Sequence, residues 1–413
     1  MVNIIALVIF LITYLLIALR GLKFLSLPPW VSLGIGAVLI VIFGIVKPDD
    51  ALQSIDLNVI LFLLSLFTIA SAMEVSGGLD YLAYLILTRI KKKQYLPLAI
   101  LFSSALLSAG ITNDGVAASW TPIVLRVGKI SNYNVKTLMY SLAYGITIGS
   151  VMLPTGNPQN LLIALQSGIK QPFTEFSEYL LLPTLLNLIL TFFLLRFLMG
   201  NERGEIVVRF IKEEVIKDKF TFFISLLSFL SLIPMFFLQE ILSLPINPVF
   251  ISLTLATLNY AFSSKRRDII RNLDWSTIML FIFLFILTRG IINGQVLQII
   301  SNLIPLPNTI VGVFISAIFL SQIMSNVPMV SIYIPIMLQL HVSNNIWIAL
   351  AASSTIAGNL TLLGAASNLI ISESSEIRGG EPLRFFEFLK YGSVVTLLNS
   401  LIYFVFLDLN IKI

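Results

Sequence analysis

The chain has 413 residues, 57% of them hydrophobic and only 11% charged, with a net charge of +5. A soluble domain carries about 25% charged residues, so this surface faces lipid, and so small and dispersed an excess of base is no nucleic-acid footprint. Zero cysteines exclude disulfides, thiol catalysis and thiolate metal sites, and the lone His341, read as a loop residue at the membrane surface, cannot build a histidine metal cluster.

The first apolar run, 3–20, lacks a basic start and a small-residue cleavage site, and is expected to be a membrane helix rather than a signal peptide. Further stretches of spanning length, about 17–25 residues each, follow at 30–47, 57–74, 135–167, 177–199, 220–239, 246–262, 275–290, 345–373 and 385–407. The fourth and ninth of these ten are interrupted at mid-membrane. Two further pairs of short apolar arms, 95–127 and 307–340, flank a polar tip and are predicted to be re-entrant hairpins, because such a tip cannot face lipid. Short amphipathic segments precede them near 79–90 and 294–304. The fold class is therefore an all-α polytopic membrane protein.

A charged segment, 201–219, separates a first half, 1–200, from a second, 220–413, and reads as a cytoplasmic linker. With the linker inside and ten crossings, 22 of the 26 lysines and arginines fall on the cytoplasmic side, and only Lys47, Lys170, Arg289 and Lys412 fall outside. Such a split follows the positive-inside rule and places both termini outside, in a multi-pass plasma-membrane protein.

The halves match at unusual positions. Asp56 and Asp274 each precede a helix. The tip Ser108-Ala109-Gly110-Ile111-Thr112-Asn113-Asp114 parallels Ser321-Gln322-Ile323-Met324-Ser325-Asn326-Val327, and Gly156-Asn157-Pro158-Gln159-Asn160 parallels Gly364-Ala365-Ala366-Ser367-Asn368. Five crossings lie between the two aspartates, so the repeats are expected to be inverted. That pattern points to alternating access around a site at the repeat interface.

Four polar clusters interrupt the apolar sequence, and broken backbone at membrane depth survives only inside protein or beside a wet cavity. Each break should present a half-helix N-terminus, whose free N–H groups and positive partial charge bind anions without a basic side chain. The candidate substrate and ion ligands are Thr112, Asn113 and Asp114; Thr155, Gly156, Asn157 and Asn160; Ser325 and Asn326; and Asn359, Thr361, Gly364, Ser367 and Asn368. Asp114 is the expected coupling residue, since a carboxylate at helix-centre depth costs about 2.5–3.5 kcal/mol and usually serves an ion or proton pathway. The bland alternative is that Asp114 caps the second hairpin arm. Glu74, Asp80 and Glu373, near helix ends, read as interfacial, and Lys91-Lys92-Lys93 as a topology determinant.

At these clusters the chain resembles the ion-transporter superfamily of arsenical-pump permeases, NhaD-type sodium/proton antiporters, citrate carriers and dicarboxylate symporters. The string Gly156-Asn157-Pro158-Gln159-Asn160 is most similar to uncharacterised permeases of the arsenical-pump branch. The resemblance implies substrate and sodium at both hairpin tips, with sodium at Ser108, Thr112, Asn113 and Gly156 and at Ser321, Ser325, Asn326 and Gly364. It also implies a mobile transport domain of elevator type and a homodimer. Asp114 and Val327 depart from the serine-asparagine-threonine tips of the symporters.

The leading expectation is an ion-coupled secondary transporter of a small inorganic or organic anion or oxyanion, with sodium or a proton as coupling ion and no cofactor. Arsenite efflux and sodium/proton exchange stay open, as does a channel or sensor that keeps the fold. An enzyme would need a nucleophile with a base, a paired aspartate or a metal set, and none is visible. The phosphate loop of an ATP-driven pump is absent, although a separate ATPase subunit stays open.

Overall fold

The computed structural model describes residues 3–18, 27–87, 89–200, 202–206, 216–303 and 307–412. Parts of four expected segments lie outside that range: the end of the first helix, the linker at 201 and 207–215, residue 88 of the first amphipathic segment and residue 304 of the second. So do Arg20, Lys23, Arg209 and Lys212 of the charge count. The described residues are helical throughout and hold no strand; the isolated bridge Lys92–Glu205 ties the linker to the loop before the first hairpin.

The first half begins with α1 (Ile4–Ala18), α2 (Pro29–Ile42), α3 (Pro48–Gln53), α4 (Leu57–Val75) and α5 (Gly78–Leu87). Its hairpin arms are α6 (Leu96–Gly110) and α7 (Asn113–Ser131). The interrupted helix is α8 (Val135–Gly149), a tight turn at Pro154–Gly156, and α9 (Pro158–Gln166), followed by α10 (Pro172–Met199). The second half has α11 (Lys219–Ile241), α12 (Pro248–Phe262), α13 (Arg266–Arg271), α14 (Trp275–Asn293) and α15 (Val296–Leu303). Its hairpin arms are α16 (Ile310–Met324) and α17 (Asn326–Gln339). Its interrupted helix is α18 (Asn344–Ile356), turns at Ala357–Asn359 and Leu362–Gly364, and α19 (Ala366–Ile377), followed by α20 (Phe385–Asp408).

Local chemistry explains the boundaries. The Asp56 carboxylate accepts the N–H groups of Asn58 (3.0 Å) and Val59 (3.4 Å), and Asp274 accepts that of Thr277 (3.0 Å), so the paralleled aspartates cap α4 and α14. Proline at the first position starts α2, α3, α9, α10 and α12, where its missing N–H costs nothing. Asn132, at φ 47°, ends α7 in the left-handed conformation that asparagine tolerates. Two short helices are additions to the expected set. Pro48 with Asp49 and Asp50 in the first turn starts α3, and α13 fills the basic loop before Asp274.

Five helices, α4, α10, α11, α14 and α20, are long and apolar enough to cross a membrane; α1, α2, α12, α16 and α17 are apolar but shorter. The packing is crosswise. Each first hairpin arm lies on its own half's interrupted helix, α6 on α8 and α16 on α18. Each second arm reaches the half-helix of the other half, α7 on α19 and α17 on α9, and α7 packs equally on α8 of its own half. Trp120, Tyr140 and Tyr144 fill the core beside α7 and α8, and Phe62, Phe176 and Phe281 fill the one beneath α4 and α10. His341 is exposed in the turn after α17, as expected.

Candidate functional site

The crosswise packing leaves a cavity of about 630 Å³ where the two tips and the two breaks meet. The first residues of four helices line it: Asn113 of α7, Pro158 of α9, Asn326 of α17 and Ala366 of α19. Four helix N-termini therefore border one space, though at α9 Pro158 has no N–H and that of Asn160 is capped by Asn157. Ser325, between the arms of the second hairpin, sits at φ 71° and ψ 159°, a conformation side chains rarely adopt and one that costs about 1–3 kcal/mol. The surrounding packing must hold it there.

Pro28, Pro29, Trp30, Glu74, Asn272, Asp274 and Glu373 also line the cavity, and of these Pro28, Asn272 and Glu373 are exposed. With Asp114, four carboxylates line the cavity, and among the described residues no lysine, arginine or histidine does. Asp114 has no hydrogen bond or ion pair among the described residues, and no side chain caps α7, so it lies in the first turn of α7 without closing it. Glu74 and Glu373 do stand near helix ends, but those ends open onto the cavity.

Of the sequence candidates, Thr112, Asn113, Asp114, Ser325 and Asn326 line the space. The Oδ1 atoms of Asn113 and Asn326 are buried and have no partner, so each keeps an acceptor free. The break residues behave differently. The Thr155 hydroxyl donates to the Ala109 carbonyl (2.7 Å), pinning the first break to the end of α6. Gly156 packs so close to Ser150 that a Cβ would overlap the Ser150 backbone. The Asn157 amide donates to the Ser150 carbonyl (3.1 Å) and to Thr355 Oγ1 (3.0 Å), while its Oδ1 caps α9 through the N–H of Asn160 (2.8 Å). Asn160 donates to the carbonyls of Ser150 (3.1 Å) and Val151 (3.3 Å). All four are buried behind the lining, where they knit the break shut.

In the second break, Asn368 donates to the Gly358 carbonyl (2.8 Å) and the Thr361 hydroxyl donates to Gln322 Oε1 (2.8 Å). Asn359 turns away from the cavity and donates to Asn399 Oδ1 (3.3 Å). A Cβ on Gly364 would stand 2.9 Å from the Ala357 carbonyl and 3.0 Å from Gln322 Oε1. This break is less satisfied than the first: Asn359 Oδ1, Ser367 Oγ and Asn368 Oδ1 are buried without partners. The same contrast runs through the expected sodium sets. Ser108 donates to the Ile146 carbonyl (2.8 Å), whereas the Ser321 hydroxyl is buried without a partner. Sequence reasoning missed Asp274, Asn272 and Gln159 as lining residues, and Gln322 and Thr355 as supports. Gln159 and Gln322 stood inside quoted motifs and Asp274 at a matched repeat position, whereas Asn272 and Thr355 carried no signal.

A family model described as "CitMHS: Citrate transporter" matches residues 14–347. A protein of Dictyostelium discoideum that carries the name transporter arsB is 24% identical over 89% of this chain and 85% of its own length. The silicon efflux transporter LSI3 of rice, Oryza sativa subsp. japonica, is 34% identical, over 33% of this chain and 28% of its own. Among solved structures, MtrF of Neisseria gonorrhoeae, described within a class of antimetabolite efflux pumps, superposes with a TM-score of 0.59. That match has 11% identity and covers 97% of this chain and 94% of that one, a likeness of fold.

Proposed function

The chain belongs to the citrate-transporter family whose model spans most of its length, and from that premise we propose an ion-coupled secondary transporter that moves a small anion or oxyanion by alternating access. The observation that carries this reading is the convergence of four helix N-termini on one cavity in which the described residues supply no basic side chain. Aligned peptide dipoles give each such end about half a positive charge, which suits an anionic group. The four carboxylates around the same space suit the cations that must accompany an anion there. Asp114 is the coupling carboxylate of this scheme, with Thr112 and Asn113 beside it, and the unpartnered oxygens of Ser321 and Asn326 suit a sodium ion in the second half.

The reading includes ten crossings, two re-entrant hairpins and inverted repeats. Support comes from the paired caps at Asp56 and Asp274 and from the equivalent bonds of Asn160 and Asn368, each to the carbonyl ten residues earlier. Glu74, Asn272, Asp274 and Glu373 fall on the side that the charge count assigns to the cytoplasm, which suits an inward-open state.

A second reading, efflux of a neutral oxyacid, is favoured by the similarity to the arsB and silicon efflux proteins and by the acidic lining. Purified protein in liposomes separates the two. Gradient-driven uptake of citrate supports the anion reading, and uptake of arsenous or silicic acid that falls as the pH rises through the acid's ionisation supports the second. If no compound moves under a sodium or proton gradient, and none raises thermal stability, both readings fail.

A further inference from the structure

Thr355 stands in the last turn of α18, immediately before the second break, yet its hydrogen bonds go to the first. Its Oγ1 accepts from the Asn157 amide at 3.0 Å and donates to Asn160 Oδ1 at 3.1 Å. All three side chains are at most 1% exposed, so neither bond competes with water. The two asparagines otherwise bond only within their own break, chiefly to the Ser150 carbonyl. Thr147 holds the corresponding place in the last turn of α8. Its hydroxyl bonds its own helix, at the Ala143 carbonyl (3.1 Å), while its methyl faces the second break, 3.4 Å from where a Cβ of Gly358 would stand. Each break is thus braced by a threonine from the opposite half, one through a hydroxyl and one through a methyl.

We propose that Thr355 is a positioning residue that fastens the first break to the second half, so that Pro158 and Gln159 of one break and Ala365 and Ala366 of the other meet the cavity as one rigid wall. This deepens the transport reading, on which its functional meaning rests. It assigns to the breaks the role of a fixed wall. Ala365 stands where the first break has Asn157, so the second break lacks the amide that donates to Thr355, and Oδ1 of Asn368, the counterpart of Asn160, has no partner.

Amide hydrogen exchange of the purified full chain, read by mass spectrometry, tests the brace without any substrate, so its outcome is separate from that of the transport assays. Thr355→Val keeps shape and helix preference but leaves the Asn157 amide and Asn160 Oδ1 short of a partner. Peptides covering residues 150–163 should then exchange at least tenfold faster than in the parent, with peptides from α11 and α12 unchanged. Thr355→Ser should restore the parent rate within about twofold. Thr147→Val, which removes a hydroxyl that bonds only its own helix, should leave the second break as protected as before. Thr355→Cys, a weaker donor, should give intermediate exchange and reads the same effect if the valine variant does not fold. Unchanged protection in Thr355→Val, faster exchange spread evenly over the chain, or failure of serine to rescue would each overturn the proposal.

Discussion

Replacing Gly156 with alanine tests how tightly the first break is closed. No left-handed φ is involved at this position, so the backbone itself accepts alanine and the penalty is steric. The added methyl would meet the carbonyl and Cα of Ser150, backbone atoms that cannot swing aside. Overpacking of this kind costs about 1–3 kcal/mol. The displaced carbonyl also accepts from Asn157 and Asn160, both at 3.1 Å. Each such bond is worth about 0.5–1.5 kcal/mol net, so losing both brings the total to roughly 2–6 kcal/mol. Gly115→Ala is the control: it lies in the first turn of α7, a Cβ there has no neighbour nearer than 3.5 Å, and helix propensity predicts no loss. Unfolding free energies measured in mixed micelles should separate the two variants by at least about 2 kcal/mol. A Gly156→Ala protein within about 0.5 kcal/mol of its parent, the range of ordinary surface changes, would refute the close packing on which this account of the break depends.

Two further outcomes test the mechanism and the orientation. Asp114→Asn keeps size and one acceptor but cannot titrate; gradient-driven uptake in vesicles should fall at least tenfold while substrate-for-substrate exchange persists, and parent-like uptake across pH would leave Asp114 only its place in the first turn of α7. The chain has no cysteine, so single cysteines report sidedness cleanly: an impermeant maleimide outside intact cells should label Asn247→Cys and spare Ser264→Cys, both at exposed positions, whereas labelling of the latter from outside would reverse the orientation.

The sequence showed the helices, hairpins and breaks because their signals are local. Apolar runs end at proline, glycine or an aspartate cap, and the structure places α6–α7 and α16–α17 where polar tips divide short arms. What it could not show was which polar residues face the cavity. Asn157 and Asn326 looked alike as motif asparagines, yet Asn157 spends its amide on a threonine 198 residues away while Asn326 keeps a free acceptor at the lining. That choice depends on which distant helix arrives beside each one. Glu74 and Glu373 were placed at the membrane surface for a related reason, since position near a helix end does not reveal whether that end opens onto lipid headgroups or an internal space.

The crosswise packing also sets a problem for biogenesis. The arm α7 carries Asn113 and Asp114 at its start, and the surface it needs, α19, emerges from the ribosome roughly 240 residues later. At synthesis rates of about 5–20 residues per second, that is a wait on the order of 10–50 s. Throughout it the second arm of the first hairpin has α5, α6 and α8 beside it but lacks α19, and a polar tip cannot rest in hydrocarbon. The nascent hairpin must therefore stay at the aqueous edge or in the insertion machinery until the last quarter of the chain arrives. A chain truncated before α19 would leave one face of the arm uncovered beside its acidic tip, a form suited to quality-control proteolysis rather than to partial function.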